Sequence, residues 1–391
     1  MNNCKTFVAL IAVVAALLLG HTSRSAASIT IKRKSQGQAS AASESLEKVK
    51  LINSVGIDDF VRDLNANGKL GYRLERSLNY GGEGASQSFA AIVRLDAPNK
   101  YEYDWMSSPD KKLLEGRLNS QAKQGFNFVN AYALTNCSGG TSEEQNNPTA
   151  PESLIIRLHK GDVFLLERTS GNTEQTREYK VFIAKVHLGD SAEKTIQTGL
   201  EGAASQGFRP VKLLFTRQGL LDFSISLLVE KNSQGDSAAK AEYRFLKKTS
   251  GLPKDMNALA AEGFRFITGR RIGMIGLALM GKQTNEGTTY TFIDEKKYAK
   301  EFDKTIALGN RYEAVMIGDL TCGSTEAENE RLVFAQNSGD AKHEYKIKTI
   351  SFAKAGNPDS DSLAEFTKLV ADGHDVRDMF YSAGLNVIFE K

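Results

Sequence analysis

One short phrase recurs along this chain of 391 residues: an amphipathic helix, a glycine, an aromatic residue and then a strand. Full copies read Leu70-Gly71-Tyr72, Gln124-Gly125-Phe126, Gln206-Gly207-Phe208 and Glu262-Gly263-Phe264, with degraded copies at Arg311-Tyr312 and Gly373-His374. The residue past the last turn of a helix usually takes positive φ, which costs glycine nothing. The aromatic that follows can then fold under the helix end and enter a core as the next strand begins. A phrase used about six times predicts a tandem array of small units.

Each unit opens with a strand: Tyr101-Glu102-Tyr103, Glu178-Tyr179-Lys180, Glu242-Tyr243-Arg244, Tyr290-Thr291-Phe292 and Glu344-Tyr345-Lys346. Period-two alternation puts Tyr179, Val181 and Ile183 on one face and leaves Glu178 and Lys180 on the solvent side. Helical stripes follow at Leu114, Leu118 and Ala122, at Ile196, Leu200 and Ala203, and at Leu363, Phe366, Leu369 and Val370, each wide enough to cover a sheet. A third strand closes each unit, as in residues 89–94, 163–168, 223–230, 274–280, 332–334 and 385–390. Similar endings at residues 165–168, 228–231 and 388–391 support common descent. The expected fold class is α+β: about six tandem βαββ units, each a mainly antiparallel three-stranded sheet with one helix on one face. Their expected bounds are 48–97, 98–170 (with a polar loop insertion at 139–152), 175–235, 240–283, 288–337 and 342–391. A three-stranded sheet is marginal alone, so neighbours are expected to pair or pack their sheets, two units to a domain.

The helix with its asparagine and the run Ala-x-x-Gly-aromatic resemble a small bacterial βαββ family of unknown function. The matching residues are Leu118-Asn119 with Ala122, Gly125 and Phe126; Ala204 with Gly207 and Phe208; and Ala260-Ala261 with Gly263 and Phe264. The fifth copy has Arg311 where the glycine belongs, and the sixth has His374 where the aromatic belongs. The resemblance implies the βαββ fold and brings no activity, catalytic residue or cofactor.

The N-terminus has a different character. Lys5, an apolar run from Phe7 to Leu19 and small residues through Ala27 form the three regions of an export signal, expected over residues 1–27. The apolar run is too short to span a bilayer. Residues 28–47, rich in Ser, Ala, Gln and Lys, read as a flexible tether. Losing Lys5 and Arg24 lowers the formal charge from +3 to about +1. A near-neutral chain lacks the basic footprint of nucleic-acid binding. The expected location is periplasmic or secreted, with no stable membrane insertion after cleavage. Cys137 and Cys322 occupy related loops, where a disulfide is plausible in an oxidising compartment; two inherited cysteines that never meet are the alternative.

Motifs that carry chemistry are sparse. Gly276 to Lys282 imitates the start of a P-loop, but Gln283 stands where Ser or Thr belongs, and the segment reads as a third strand. His343-Glu344 lacks the second histidine of a metalloprotease helix, and no His, Asp and Glu cluster has metal-ligand spacing. No catalytic residue, metal or cofactor is therefore assigned. The most concentrated basic stretch is Gly269-Arg270-Arg271-Ile272-Gly273, read as the hairpin of the fourth unit. There Arg270 and Arg271 can hold a carboxylate or a phosphate-bearing ligand, or form an exposed charged turn.

The leading expectation is an exported, non-catalytic binding or scaffolding protein whose partner is an unknown envelope protein or polymer. Two alternatives stay open. One is an envelope-polymer hydrolase with a carboxylate pair between units; the other is a sensor of a small anionic ligand.

Overall fold

The six central strands decide the architecture. The computed structural model describes residues 47–391 apart from 81–86, 109–110, 138–156, 187–191, 218–222, 233–240, 273–274, 284–287, 295–296, 317–318, 321–326, 329–330, 337–342, 353–357 and 383. The expected signal at 1–27, all but the last residue of the tether, the insertion at 139–152 and Cys322 lie outside the described residues.

In chain order the elements are β1 (Val49–Val55), α1 (Ile57–Gly68), β2 (Tyr72–Tyr80) and β3 (Ser88–Leu95); then β4 (Tyr101–Ser108), α2 (Lys111–Ala122), β5 (Asn127–Cys137) and β6 (Arg157–Thr169). The third unit is β7 (Arg177–Val186), α3 (Ala192–Ala204), β8 (Arg209–Arg217) and β9 (Phe223–Asn232). The fourth is β10 (Tyr243–Lys248), α4 (Leu252–Ala261), β11 (Phe264–Ile272) and β12 (Ile275–Lys282). The fifth is β13 (Thr289–Asp294), α5 (Tyr298–Ala307), β14 (Arg311–Met316), a small ribbon of β15 (Asp319–Leu320) and β16 (Ala327–Glu328), and β17 (Arg331–Gln336). The sixth is β18 (Tyr345–Ile350), α6 (Ser360–Ala371), β19 (Asp375–Tyr381) and β20 (Leu385–Glu390).

Among the described residues there are thus six helices and six three-stranded sheets, each an antiparallel βαββ unit with its third strand in the middle. This order explains why the third strands read as unbroken apolar runs. Each is hydrogen-bonded on both edges and covered on both faces, so alternation serves two cores rather than core and solvent. Phe89, Ala91 and Val93 of β3 enter one core, with Phe60 and Leu64 of α1 and Val163 and Leu165 of β6. Ala90 and Ile92 enter another, with Phe366 of α6 and Val387 and Phe389 of β20. Phe164 and Leu166 of β6 meet Leu228 of β9, while Leu227 and Val229 meet Leu277 and Leu279 of β12. Ala278 and Met280 meet Val333 and Ala335 of β17, and Leu332 and Phe334 meet Ile388 of β20.

Six sheets therefore share six cores, and the core of Val49, Ile92, Phe366 and Phe389 joins the sixth unit back to the first. Leu46–Lys391 form one compact body, a closed ring of units, and not three pairs. The closing seam adds stacked rings, Tyr80 on Tyr381 at 4.6 Å and on Phe352 at 5.7 Å. It also carries an Arg94–Asp375 ion pair at 3.1 Å.

Each helix fills the seam between its own sheet and the next. Leu114, Leu118 and Ala122 are buried, as are Ile196, Leu200 and Ala203. In α6 the buried stripe is narrower than expected: Phe366 is buried, but Leu363, in the first turn, lies outside it and is 40% exposed. Asn65 of α1 bonds the backbone of Tyr103 in the next unit twice, through Nδ2 to the carbonyl (2.9 Å) and through Oδ1 from the N–H (2.8 Å). Asn119 does the same to Tyr179, and Asn257 to Tyr290. In the third unit Gln197 bonds Tyr243 and Phe245 instead. These first strands are sheet edges, and the amide side chain occupies backbone groups that a further strand would otherwise pair.

The tyrosine of the first strand completes the seam. Its hydroxyl accepts a buried backbone N–H from the preceding unit: Leu74 to Tyr103 (2.8 Å), Phe128 to Tyr179 (2.7 Å), Phe266 to Tyr290 (2.8 Å), and Tyr312 to Tyr345. For Tyr243 the matching residue of the preceding unit is Pro210, which has no N–H to give, and Val49 stands at the matching register of the first unit.

All six helices end before a glycine with φ between 82° and 93°: Gly71, Gly125, Gly207, Gly263, Gly309 and Gly373. The fifth copy was expected to lack this glycine at Arg311-Tyr312; it is Gly309, two residues earlier. The residue after it is Asn310, whose Nδ2 donates to Thr305 O inside the core, so the aromatic is missing there and not the glycine. Four residues past each glycine the second strand carries a bulge, at Glu75, Val129, Val211, Ile267, Glu313 and Arg377. That shared register aligns the copies where residue identity does not.

Two comparisons test this frame. A Cβ on Gly125 would lie 2.2 Å from Asn172 O, whereas one on Gly373 would meet nothing within 4 Å. Both variants to alanine carry the left-handed backbone cost of about 1–2 kcal/mol, and Gly125→Ala is expected to lose about 1–3 kcal/mol more through overpacking. Chemical denaturation of both variants measures the difference. Tyr179→Phe should cost about 1–3 kcal/mol by stranding the Phe128 N–H, whereas Tyr243→Phe, opposite a proline, should stay within about 0.5 kcal/mol.

Candidate functional site

The bulges turn the next residue of each second strand towards the ring axis. Arg76, Asn130, Lys212, Thr268, Ala314 and Asp378, one from each unit at the same register, line a cavity of about 400 Å³ with Arg270 and Asn79 further along. The frame has six equivalent positions and the side chains at them differ. An asymmetric site is thus set in a pseudo-symmetric wall.

A hydrogen-bonded chain runs round part of this wall. Lys212 Nζ donates to Asn130 Oδ1 at 2.8 Å. Asn130 Nδ2 donates to the carbonyl and hydroxyl of Ser77 at 3.0 and 3.2 Å, and the Tyr132 hydroxyl donates to the same Ser77 Oγ at 2.6 Å. On the opposite side the Tyr312 hydroxyl donates to Asp378 Oδ2 at 2.7 Å, and Met379 N donates to Oδ1 at 2.9 Å. Arg76 Nε donates to the Arg377 carbonyl at 3.0 Å, across the closing seam.

The electrostatics are one-sided. Arg76, Lys212 and Arg270 bring three cations from three units, against Asp378 as the carboxylate among the described lining residues. The Lys212 amine is held down at about 8, chiefly by burial and next by the positive charge of Arg270, while Asp378 opposes both. Among the described residues no carboxylate stands within 4 Å of Nζ.

The two arginines singled out from sequence part company. Both lie in β11 rather than in a hairpin turn, paired with Leu277 and Gly276 of β12. Arg270 faces the central cavity; Arg271 lines a separate cavity of about 140 Å³ with Lys248 and the start of α4. Cys137 ends β5, and its proposed partner Cys322 lies outside the described residues. Gly276–Lys282, the P-loop look-alike, belongs to β12. Tyr72, Phe126, Phe208 and Phe264 are buried beneath the helix ends. Lys50, Arg168, Lys180 and Arg244 lie over those four rings. His374 takes the same buried place in the sixth unit, its Nε2 3.7 Å from Glu344 Oε1. Glu167 is a buried acid, but it closes the seam of the first two units, bonded by Arg73 (2.9 Å) and Tyr103 (3.0 Å), away from the cavity.

Sequence reasoning missed Arg76, Asn130, Lys212, Thr268 and Asp378. The usable sign was positional: each is the fifth residue past a helix-end glycine, once Gly309 is recognised as the fifth copy. Among the described residues no His, Cys, Asp and Glu group suits a metal ion, and no helix is long and apolar enough to cross a membrane. No family model, no curated protein and no solved structure matches this chain.

Lys212 also predicts a pH response. Its folded pKa lies below its ordinary value of 10.5, so between about 8 and 10.5 the unfolded chain holds more protons and stability should rise with pH. Denaturation curves across that window should show Lys212→Met to be flatter than wild type.

Proposed function

We propose that this is an exported binding protein that holds a small anionic molecule in its central cavity. The observation that carries this reading is the convergence of Arg76, Lys212 and Arg270, from three units, on one cavity whose described wall holds a single carboxylate. Charge-assisted bonds from guanidinium and ammonium groups are the ordinary means of gripping carboxylates and phosphates, and a partly desolvated site strengthens them. Asn130, Thr268 and Asn79 add neutral polar groups that orient a ligand. The arrangement favours binding over polymer hydrolysis, because the paired carboxylates that glycoside cleavage needs are not among the described lining residues. It favours a small ligand over a scaffolding partner, because three cations from three units line one cavity.

Export rests on the N-terminal charge, apolar run and small-residue pattern, and the expected setting is the periplasm or exterior of a bacterium. Descent of the units from the small bacterial βαββ module that they resemble is part of the same proposal. The test is thermal unfolding of the full chain with millimolar citrate, phosphate or pyruvate at pH 7. Binding should raise the melting temperature by mass action. Arg270→Ala should weaken affinity on the order of tenfold, the scale of one bond to a charged group. Absence of any shift with all three anions would remove the reading.

A further inference from the structure

The contacts of Lys212 point beyond a passive cation. An anion site built for charge alone is served by a guanidinium, which stays charged and offers a fork of donors. Here the residue is an amine whose bonding partner is a neutral amide. The orientation of that amide is set by its other end: Asn130 Nδ2 donates to Ser77 O and Ser77 Oγ, so Oδ1 is the atom turned to Nζ. A neutral amine still donates to Oδ1 and keeps its lone pair. A carboxylate partner would instead have held the amine as ammonium. The neighbouring Arg270 works in the same direction, because a second cation in a partly buried site disfavours the charged amine. An amine desolvated and set beside another cation is the arrangement that activates lysine as a nucleophile towards carbonyl carbon.

We infer that Lys212 captures the carbonyl group of a small 2-oxo carboxylate as an imine, with the carboxylate held by Arg270 of the adjoining unit. This rests on the anion-binding reading and specifies its ligand class. In the step, the Nζ lone pair adds to the carbonyl carbon and the C–N bond forms. The carbonyl oxygen then leaves as water, carrying both hydrogens of the neutral amine. Taking one proton from solvent gives the iminium, and water reverses the sequence. No oxidant, reductant or metal enters the balance. Asn130 is a positioning residue: it fixes Nζ while leaving the lone pair free for attack.

The experiment uses the full chain incubated with pyruvate and then sodium borohydride, followed by intact-mass and peptide mass spectrometry. Hydride from the borohydride reduces the iminium to a secondary amine, so the captured protein gains the mass of pyruvic acid less one oxygen atom. The adduct should map to Lys212 on the order of tenfold above any other lysine, since its neutral fraction at pH 7 exceeds that of an exposed amine. Lys212→Arg keeps the charge and should still show a melting shift with lactate, which has the carboxylate and no ketone, while losing the adduct. Asn130→Asp should suppress the adduct, because a carboxylate facing Nζ holds the amine as ammonium. A wild-type chain that shifts with lactate yet gives no adduct, or gives one spread over surface lysines and unchanged in Lys212→Arg, overturns the imine and leaves anion binding standing. A chain that responds to neither lactate nor pyruvate loses the imine, and one that responds to no anion, citrate and phosphate included, loses both.

Discussion

Everything in this ring depends on central strands that have no solvent face. Each third strand alternates its apolar side chains between two seams, so no unit owns a core and every core belongs to two units. Burial of one large side chain contributes about 1.5–3 kcal/mol, but in this arrangement half of each strand's share exists only if the neighbour is present. The helices obey the same logic, since each covers its own sheet with one part of its stripe and the next sheet with another. Cooperation between repeats is thus built into the alternation of single strands.

Polar bonds complete what the apolar seams begin. The asparagine of the helix caps the edge of the following sheet, and the tyrosine of that sheet takes an N–H beside the bulge of the preceding one. Both devices satisfy buried backbone groups that an unpaired edge or a bulge would strand, where an unmade bond is costlier than a made one is helpful. The exception at Pro210 is consistent with this reading. Where no N–H exists, at Pro210, the matching tyrosine, Tyr243, makes no such bond among the described residues.

Much of the unit was legible from residues alone, because its marks are local. A glycine after a helix and alternation along strands such as 178–183 are matters of backbone geometry, and they placed helices and strands with little error. Three things were not legible. The fifth glycine was overlooked because the aromatic was taken as the marker, and Asn310 shows that the core accepts a bonded amide there. The cavity residues were hidden because a bulge reverses which side chains face inward, so simple alternation across residues 74–78 assigns them to the wrong side. Closure of the ring was invisible because it joins residues as far apart as Arg76 and Arg377, and nothing local marks such a partner. Arg270 was noticed for its charge, and its neighbour Arg271 for the same reason; only the sheet separates them.

The seam between Tyr80 and Tyr381 has a further consequence for how such a protein can change over time. An open stack of repeats lengthens or shortens freely, because any end can be moved outward and covered by a terminal cap. A ring that returns upon itself has no such freedom. Inserting or deleting one module would alter the turn required of every other seam at once, and the axial chamber would widen or collapse. Variation is therefore steered away from module number and into the six inward positions, where side chains can be exchanged one at a time without disturbing the wall that carries them.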